Sequence, residues 1–392
     1  MPITELRHGF GHVPREGASE LFRVRPARRG ANLGALVLAL ALVLLGGACG
    51  RAPRESATNR APEGGPRLSG AGATFPEPVY AEWFAAFEQL RGVSVDYQAV
   101  GSGAGVDRFL AGKVDFAATD APLSDGEVAA AARRGGPVLH VPTVLGAVVV
   151  IYDLPSVQGT LKLDGTLLAR LFEGRITRWD AAEVARANPG VKLPALAVRP
   201  VHRSDSSGTT ATFTRFLSQV SGEFRTRVGS GKQVRWPGGL AGKGSDGVSA
   251  LVQRTSGAVG YVELTHALRN QLTFAEVANS TGRFVAPTIA STSAAAKDLH
   301  AVPADLRASL VGAREPTAYP IATWTFLVVH RRQADAARGA ALARLLWYAT
   351  HDAQATATHL EYAPLPPEVL PRVERGLRSM TGPDGRPLLG AG

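Results

Sequence analysis

Three times this chain runs from a short extended segment, through a glycine- or serine-rich loop, straight into a helical stripe. No other feature restricts the fold as much. The first case follows residues 68–75, where Pro76 and Pro78 suit a first helical turn and Val79, Trp83, Phe87 and Leu90 recur at helical spacing. The second follows the alternating stretch 93–97: Gly101-Ser102-Gly103-Ala104-Gly105 leads into a helix opened by Val106, Phe109 and Leu110. The third is Arg203-Ser204-Asp205-Ser206-Ser207-Gly208-Thr209, entered from an expected strand over 197–201 and followed by the stripe Phe213, Phe216, Leu217 and Val220. Strands alternating with helices predict an α/β fold with parallel strands. In such sheets ligands gather at the carboxyl ends of strands, where these loops lie.

A helix N-terminus carries free backbone N–H groups and the positive end of the helix dipole, so each junction suits an anion. Arg203 adds a planar fork of donors matched to a tetrahedral oxyanion. A serine- and threonine-rich cap beside a surface Arg–Asp pair would read the same way locally; the repetition favours the anion site. The strand expected over 114–117 ends at Thr119-Asp120-Ala121-Pro122, where Asp120 is either a turn cap before Pro122 or a ligand group.

Farther along, residues 144–152 form a near-continuous apolar run of the kind found in strands covered on both faces. It is expected to cross into a second domain, and residues 324–330 to cross back. Helices are expected over 167–172, 340–348 and 367–377, a buried strand over 258–262, and a glycine-rich loop over 236–244. A length of 392 residues fits two domains.

The chain is 45% hydrophobic and 19% charged, ordinary for a globular protein. Its formal charge is +10, of which six arginines against three glutamates place +3 in residues 1–48. The mildly basic remainder suits an anionic ligand or membrane surface. No dense Lys/Arg block interleaved with aromatics argues for nucleic acid. Residues 1–48 read as a signal peptide: basic residues 23–29, the apolar run 33–45, then Gly46-Gly47-Ala48. Cys49, the sole cysteine, follows directly, as in the lipobox of bacterial lipoproteins, where the cysteine is acylated; Gly46 stands where a leucine is usual. Residues 49–67 then read as a tether poor in apolar side chains.

Six segments in order resemble the substrate-binding protein of the bacterial phosphate ABC transporter: Gly70-Ala71-Gly72-Ala73-Thr74-Phe75-Pro76, the 101–105 run, Thr119-Asp120-Ala121-Pro122-Leu123, the 203–209 run, Trp236-Pro237 with Gly242-Lys243-Gly244, and 257–263. The resemblance implies a periplasmic-binding-protein fold, two α/β lobes joined by a hinge, with residues 68–144 plus 321–392 as the first lobe and 145–320 as the second. It implies phosphate contacts from Thr74, Phe75 (through its backbone N–H), Ser102 or Gly103, Asp120, Arg203, Ser207, Gly208 and Thr209, with Asp205 holding the arginine. It also implies delivery to transmembrane permease subunits, at the periplasmic or extracellular face, with neither cofactor nor metal. The family commonly reads Gly-Ser-Ser-Gly-Gly where this chain has Gly101-Ser102-Gly103-Ala104-Gly105, so either the Gly103 N–H or the Ser102 hydroxyl must replace a serine.

The residue chemistry runs the same way. An ionised Asp120 only accepts hydrogen bonds, which suits an anion that brings a proton and repels fully ionised sulfate. Rival readings are a binding protein for another oxyanion, a phosphate-ester hydrolase and an anchored structural or adhesion protein. For a hydrolase, His140, His202, His266 and His300 are scattered, there is no H-E-x-x-H or G-x-S-x-G, and Gly242-Lys243-Gly244 lacks the Ser/Thr of a P-loop.

Overall fold

The computed structural model describes residues 65–297 and 303–390; Cys49 and the expected leader lie outside the described residues. The chain runs from Arg67–Gly72 (β1) into Glu77–Arg91 (α1), Ser94–Ala99 (β2), Ser102–Leu110 (α2), Phe116–Thr119 (β3) and Asp125–Gly135 (α3). The long strand Val138–Tyr152 (β4) follows. The middle of the chain carries Lys162–Leu163 (β5), Gly165–Phe172 (α4), Ala182–Ala187 (α5), Arg199–Arg203 (β6), Gly208–Val220 (α6) and Gly222–Arg227 (α7). Next come Leu240–Gly242 (β7), Gly244–Gln253 (α8), Ala258–Glu263 (β8), Leu264–Arg269 (α9), Thr273–Phe274 (β9), Glu276–Ala278 (β10), Phe284–Val285 (β11) and Ile289–Ala294 (α10). Ala322–His330 (β12), Ala336–Thr350 (α11), Gln354–His359 (α12) and Leu370–Arg378 (α13) complete it.

The main sheet has the order β2-β1-β3-β12-β4-β8-β6-β7, with β9 also on β4. Its two ends are parallel, as expected: β1 pairs in parallel with β2 and β3, and β6 with β7 and β8. Its middle is antiparallel, contrary to a purely parallel expectation, because β12 runs against both β3 and β4, and β4 against β8. β3 and β4, linked through α3, both run against β12, which lies between them, and the far end of β4 runs on to pair against β8.

One strand serves both halves of the sheet. Residues 138–147 of β4 pair with β12, and residues 148–152 pair with β8. Its side chains are buried from His140 to Tyr152, which is why this stretch reads as an unbroken apolar run. The second apolar run, β12, pairs with β3 and the first part of β4, and just before it the Val148 N–H donates to the Ile321 carbonyl (2.9 Å).

The glycine run 101–105 is also a correction: helix α2 starts at Ser102, four residues before Val106. Tertiary packing overrides the weak helix propensity of glycine here. A Cβ on Gly105 would stand 2.3 Å from the Gly72 Cα and 2.4 Å from the Ala71 carbonyl oxygen, so α2 lies backbone to backbone on β1. That approach carries the N-terminus of α2 to the end of β1. On α1, Leu90 is 63% exposed instead of inward, and Tyr80 and Phe84 join Val79, Trp83 and Phe87 in the core.

Candidate functional site

Strand β6 ends in Arg203, and the turn that follows brings Asp205 back against it. The Arg203 Nε and one terminal nitrogen donate to the two Asp205 carboxylate oxygens at 2.8 and 2.6 Å. Arg203 is only 5% exposed. A third donor, the Gly244 N–H at the start of α8, reaches Asp205 Oδ1 at 3.0 Å. Burial pushes the Asp205 carboxyl up, but Arg203 and the Gly244 N–H outweigh it and hold it below the ordinary range. The remaining terminal nitrogen of Arg203 points to Thr209 Oγ1 at 3.5 Å. Ser207 caps α6, its hydroxyl accepting the Thr210 N–H at 3.2 Å.

Asp120 lies just beyond β3, against the start of α6: a Cβ on Gly208 would stand 2.8 Å from the Asp120 Cβ. It is 3% exposed. Burial raises its carboxyl from the ordinary 3.8 to about 7, against the lowering pull of the Thr325 hydroxyl, the Arg203 and Lys232 charges, and Thr209. Thr325 donates to Asp120 Oδ1 at 2.9 Å, and Thr323 donates to its backbone carbonyl at 3.0 Å. His140 braces the same loop: burial keeps its imidazole neutral, with a pKa lowered to about 4, and its Nε2 accepts the Leu123 N–H at 3.1 Å.

The structure therefore brings Ser102, Gly103, Asp120, Arg203, Asp205, Ser207, Gly208 and Thr209 together. The Gly208 N–H donates to the Ser102 hydroxyl (3.1 Å), and the Gly103 N–H donates to the Ser206 carbonyl (2.9 Å). Two helix-terminal donors expected to be free are thus engaged across the contact between the 101–105 and 203–209 loops. The Ser102 hydroxyl, accepting at its oxygen, keeps its own proton to donate. Thr74 joins from the other side: its Oγ1 stands 3.0 Å from Ser245 Oγ and accepts the Ser245 N–H, while its carbonyl bonds His266 Nε2 at 2.9 Å. The Phe75 ring is fully buried against Tyr362, in the core and apart from the polar cluster, which leaves only its backbone for a ligand.

Several further residues take part through contacts that only the folded chain makes. Lys232 pairs with Glu127 at 2.8 Å, and its carbonyl accepts the Ser207 N–H. The Tyr261 hydroxyl accepts the Arg203 N–H and bonds Thr210. Thr323, Thr325, Ser245 and Ser206 complete the set. Two cavities open beside the cluster, about 260 Å³ next to Thr74, Asp205 and His266 and about 300 Å³ next to Arg203, Lys232 and Trp236. Among the described residues no group of three or more His, Cys, Asp or Glu could hold a metal ion.

This arrangement, a buried guanidinium locked by one carboxylate with a second buried carboxyl within its field, suits an oxyanion. A model of the PBP superfamily domain matches residues 52–346. The chain is 37% identical over 310 residues to the phosphate-binding protein PstS of Xylella fastidiosa, covering 79% of this chain and 84% of that one. The PstS of Pasteurella multocida is 37% identical over 309 residues, covering 78% and 88%. The chain belongs to the PstS family of phosphate-binding proteins. A solved high-affinity periplasmic phosphate-binding protein, with phosphate bound, shares the fold at a TM-score of 0.66 and 24% identity, covering 82% of this chain and all of that one. The expected periplasmic-binding-protein fold is thus the fold of this member of the PstS family.

The raised carboxyl of Asp120 makes a pH prediction for the ligand-free protein. The folded state holds a proton that the unfolded chain has lost, so the stability this contributes is complete below about 3.8 and is lost as pH rises through about 7. Urea unfolding from pH 4 to pH 8 should show wild type losing stability relative to Asp120→Asn across that window; parallel pH profiles would remove the assignment.

Proposed function

We propose that this protein binds inorganic phosphate between two lobes, residues 68–144 plus 321–392 and residues 145–320, and delivers it to the permease subunits of an ABC importer. The observation that carries the reading is Arg203, buried and held in plane by Asp205, with the buried Asp120 close enough for the guanidinium charge to pull its carboxyl down. The guanidinium supplies fixed positive charge with little solvent to screen it. Ser102, Ser207, Thr209 and Thr74 supply hydroxyls, and the backbone at Phe75, Gly103 and Gly208 lines the same surface. Above its midpoint near 7 Asp120 is ionised and reads the proton on the anion: it accepts from protonated phosphate, whereas sulfate would set two acceptors face to face in a dry site.

The sharing of β4 between the two halves of the sheet supports the division into lobes, with the hinge near residues 145–148. An ester hydrolase is not favoured. The Ser102 and Ser207 hydroxyls bond backbone N–H groups, His140 accepts a backbone N–H, and His266 lies between the Thr74 carbonyl and Asp246, so among the described residues neither histidine bonds either serine hydroxyl. Placement outside the cytoplasm follows from the same reading. Among the described residues no helix is long and apolar enough to cross a membrane, and acylated Cys49 is the proposed attachment.

Calorimetric competition between phosphate and sulfate at pH 8, where Asp120 is ionised, tests the anion reading. Wild type should prefer phosphate, and Asp120→Asn, whose amide can also donate, should still bind phosphate while discriminating less. One unpaired buried polar contact costs roughly 1–3 kcal/mol, so the loss of discrimination should be about one to two orders of magnitude. A wild type that binds both anions equally would contradict the mechanism. Cys49→Ser should move the protein from the membrane to the soluble fraction on fractionation with phosphate binding unchanged; persistent membrane association would refute the lipid anchor.

A further inference from the structure

Where the 101–105 and 203–209 loops meet, one loop lacks a side chain and the other fills its place. A Cβ on Gly103 would stand 2.0 Å from Ser206 Oγ and 2.3 Å from Ser206 Cβ. Rotating the Ser206 side chain would relieve the first contact but not the second, because the Cβ position is fixed by the backbone. That backbone is itself held: the Ser206 carbonyl accepts the Gly103 N–H (2.9 Å), the Ser207 N–H donates to the Lys232 carbonyl (2.7 Å), and the Gly208 N–H donates to the Ser102 hydroxyl (3.1 Å). A larger residue at 103 is therefore accommodated by moving the loops apart. Separating them also breaks the Gly103–Ser206 and Ser102–Gly208 bonds and carries Arg203, Ser207 and Thr209 away from Asp120.

We propose that Gly103 and Ser206 form a size-matched pair that sets how far the cleft closes on its anion, with Ser206 as the closure-determining residue. The proposal rests on the phosphate-binding reading above. It also separates two effects of adding a methyl group at 103. Position 103 lies in the first turn of α2, where alanine suits a helix better than glycine, and no positive φ forbids it. The open protein should tolerate the change, and the closed one should not.

The test is a double-mutant cycle on the full chain with Gly103→Ala, Ser206→Gly and the double variant. Phosphate affinity is read by calorimetry, compaction by small-angle scattering with and without saturating phosphate, and ligand-free melting by calorimetric scan. Gly103→Ala should weaken phosphate binding about tenfold or more in the wild-type background, and less than about threefold in the Ser206→Gly background. Its phosphate-dependent compaction should shrink while its ligand-free melting temperature does not fall. Ser206→Thr, which enlarges the same contact from the opposite loop, should lose affinity with Gly103 intact. Equal losses in both backgrounds, or full affinity in both Gly103→Ala and Ser206→Thr, would overturn the pair while leaving phosphate binding standing. A wild type that neither binds phosphate nor compacts with it would overturn the underlying reading and the pair's role together.

Discussion

A guanidinium taken almost wholly out of water must have its donors matched or it costs far more than any surface ion pair contributes. Arg203 meets this condition through a two-point bond to Asp205, two residues on, and the rest of the site is arranged around that pair. Asp205 is fixed in turn by the N-terminus of α8, which also presents Ser245 to Thr74. The Arg203 backbone is held by Tyr261, whose ring stacks on Phe213 at 4.3 Å between centroids. The charge at the centre of the site is thus tied to β6, α6, α8 and β8 at once.

The two carboxylates near this charge differ in outcome because they differ in geometry. Asp205 touches the guanidinium and a backbone N–H, so its ionised form is favoured over the cost of burial. Asp120 sits farther away, among hydroxyls, with burial as its largest influence, and is raised to about 7. One group therefore fixes the cation, while the other is left close to its midpoint at neutral pH.

Local chemistry was readable in the sequence and long-range chemistry was not. Arg203, Asp205, Ser207 and Gly208 could be placed because a cap, a following helical stripe and a neighbouring acid all lie within a few residues. Thr325 carries no local mark of its role, which depends on Asp120, 205 residues away. The one available signal was the alternation of Thr323 and Thr325 within an otherwise apolar run, which marks polar groups aimed at one face of a buried strand. Lys232, Tyr261 and Ser245 likewise act through contacts that only the folded chain makes. Glycine is a poor helix former, so the 101–105 run reads locally as a loop, yet the absence of side chains is what lets α2 rest on β1 and lets Gly103 meet Ser206. The mixed sheet was hidden for a related reason: strand direction at β4 and β12 depends on how the two halves join, not on local pattern.

The central claim is that Arg203 and Asp120 share one buried field, and carboxyl carbon NMR of Asp120 in the ligand-free protein tests it most directly. The account predicts a titration midpoint near 7 in wild type and a higher midpoint in Arg203→Ala, because removing the guanidinium charge takes away a lowering influence while burial stays. A wild-type midpoint near the ordinary 3.8, or one that does not move when Arg203 is replaced, would contradict it.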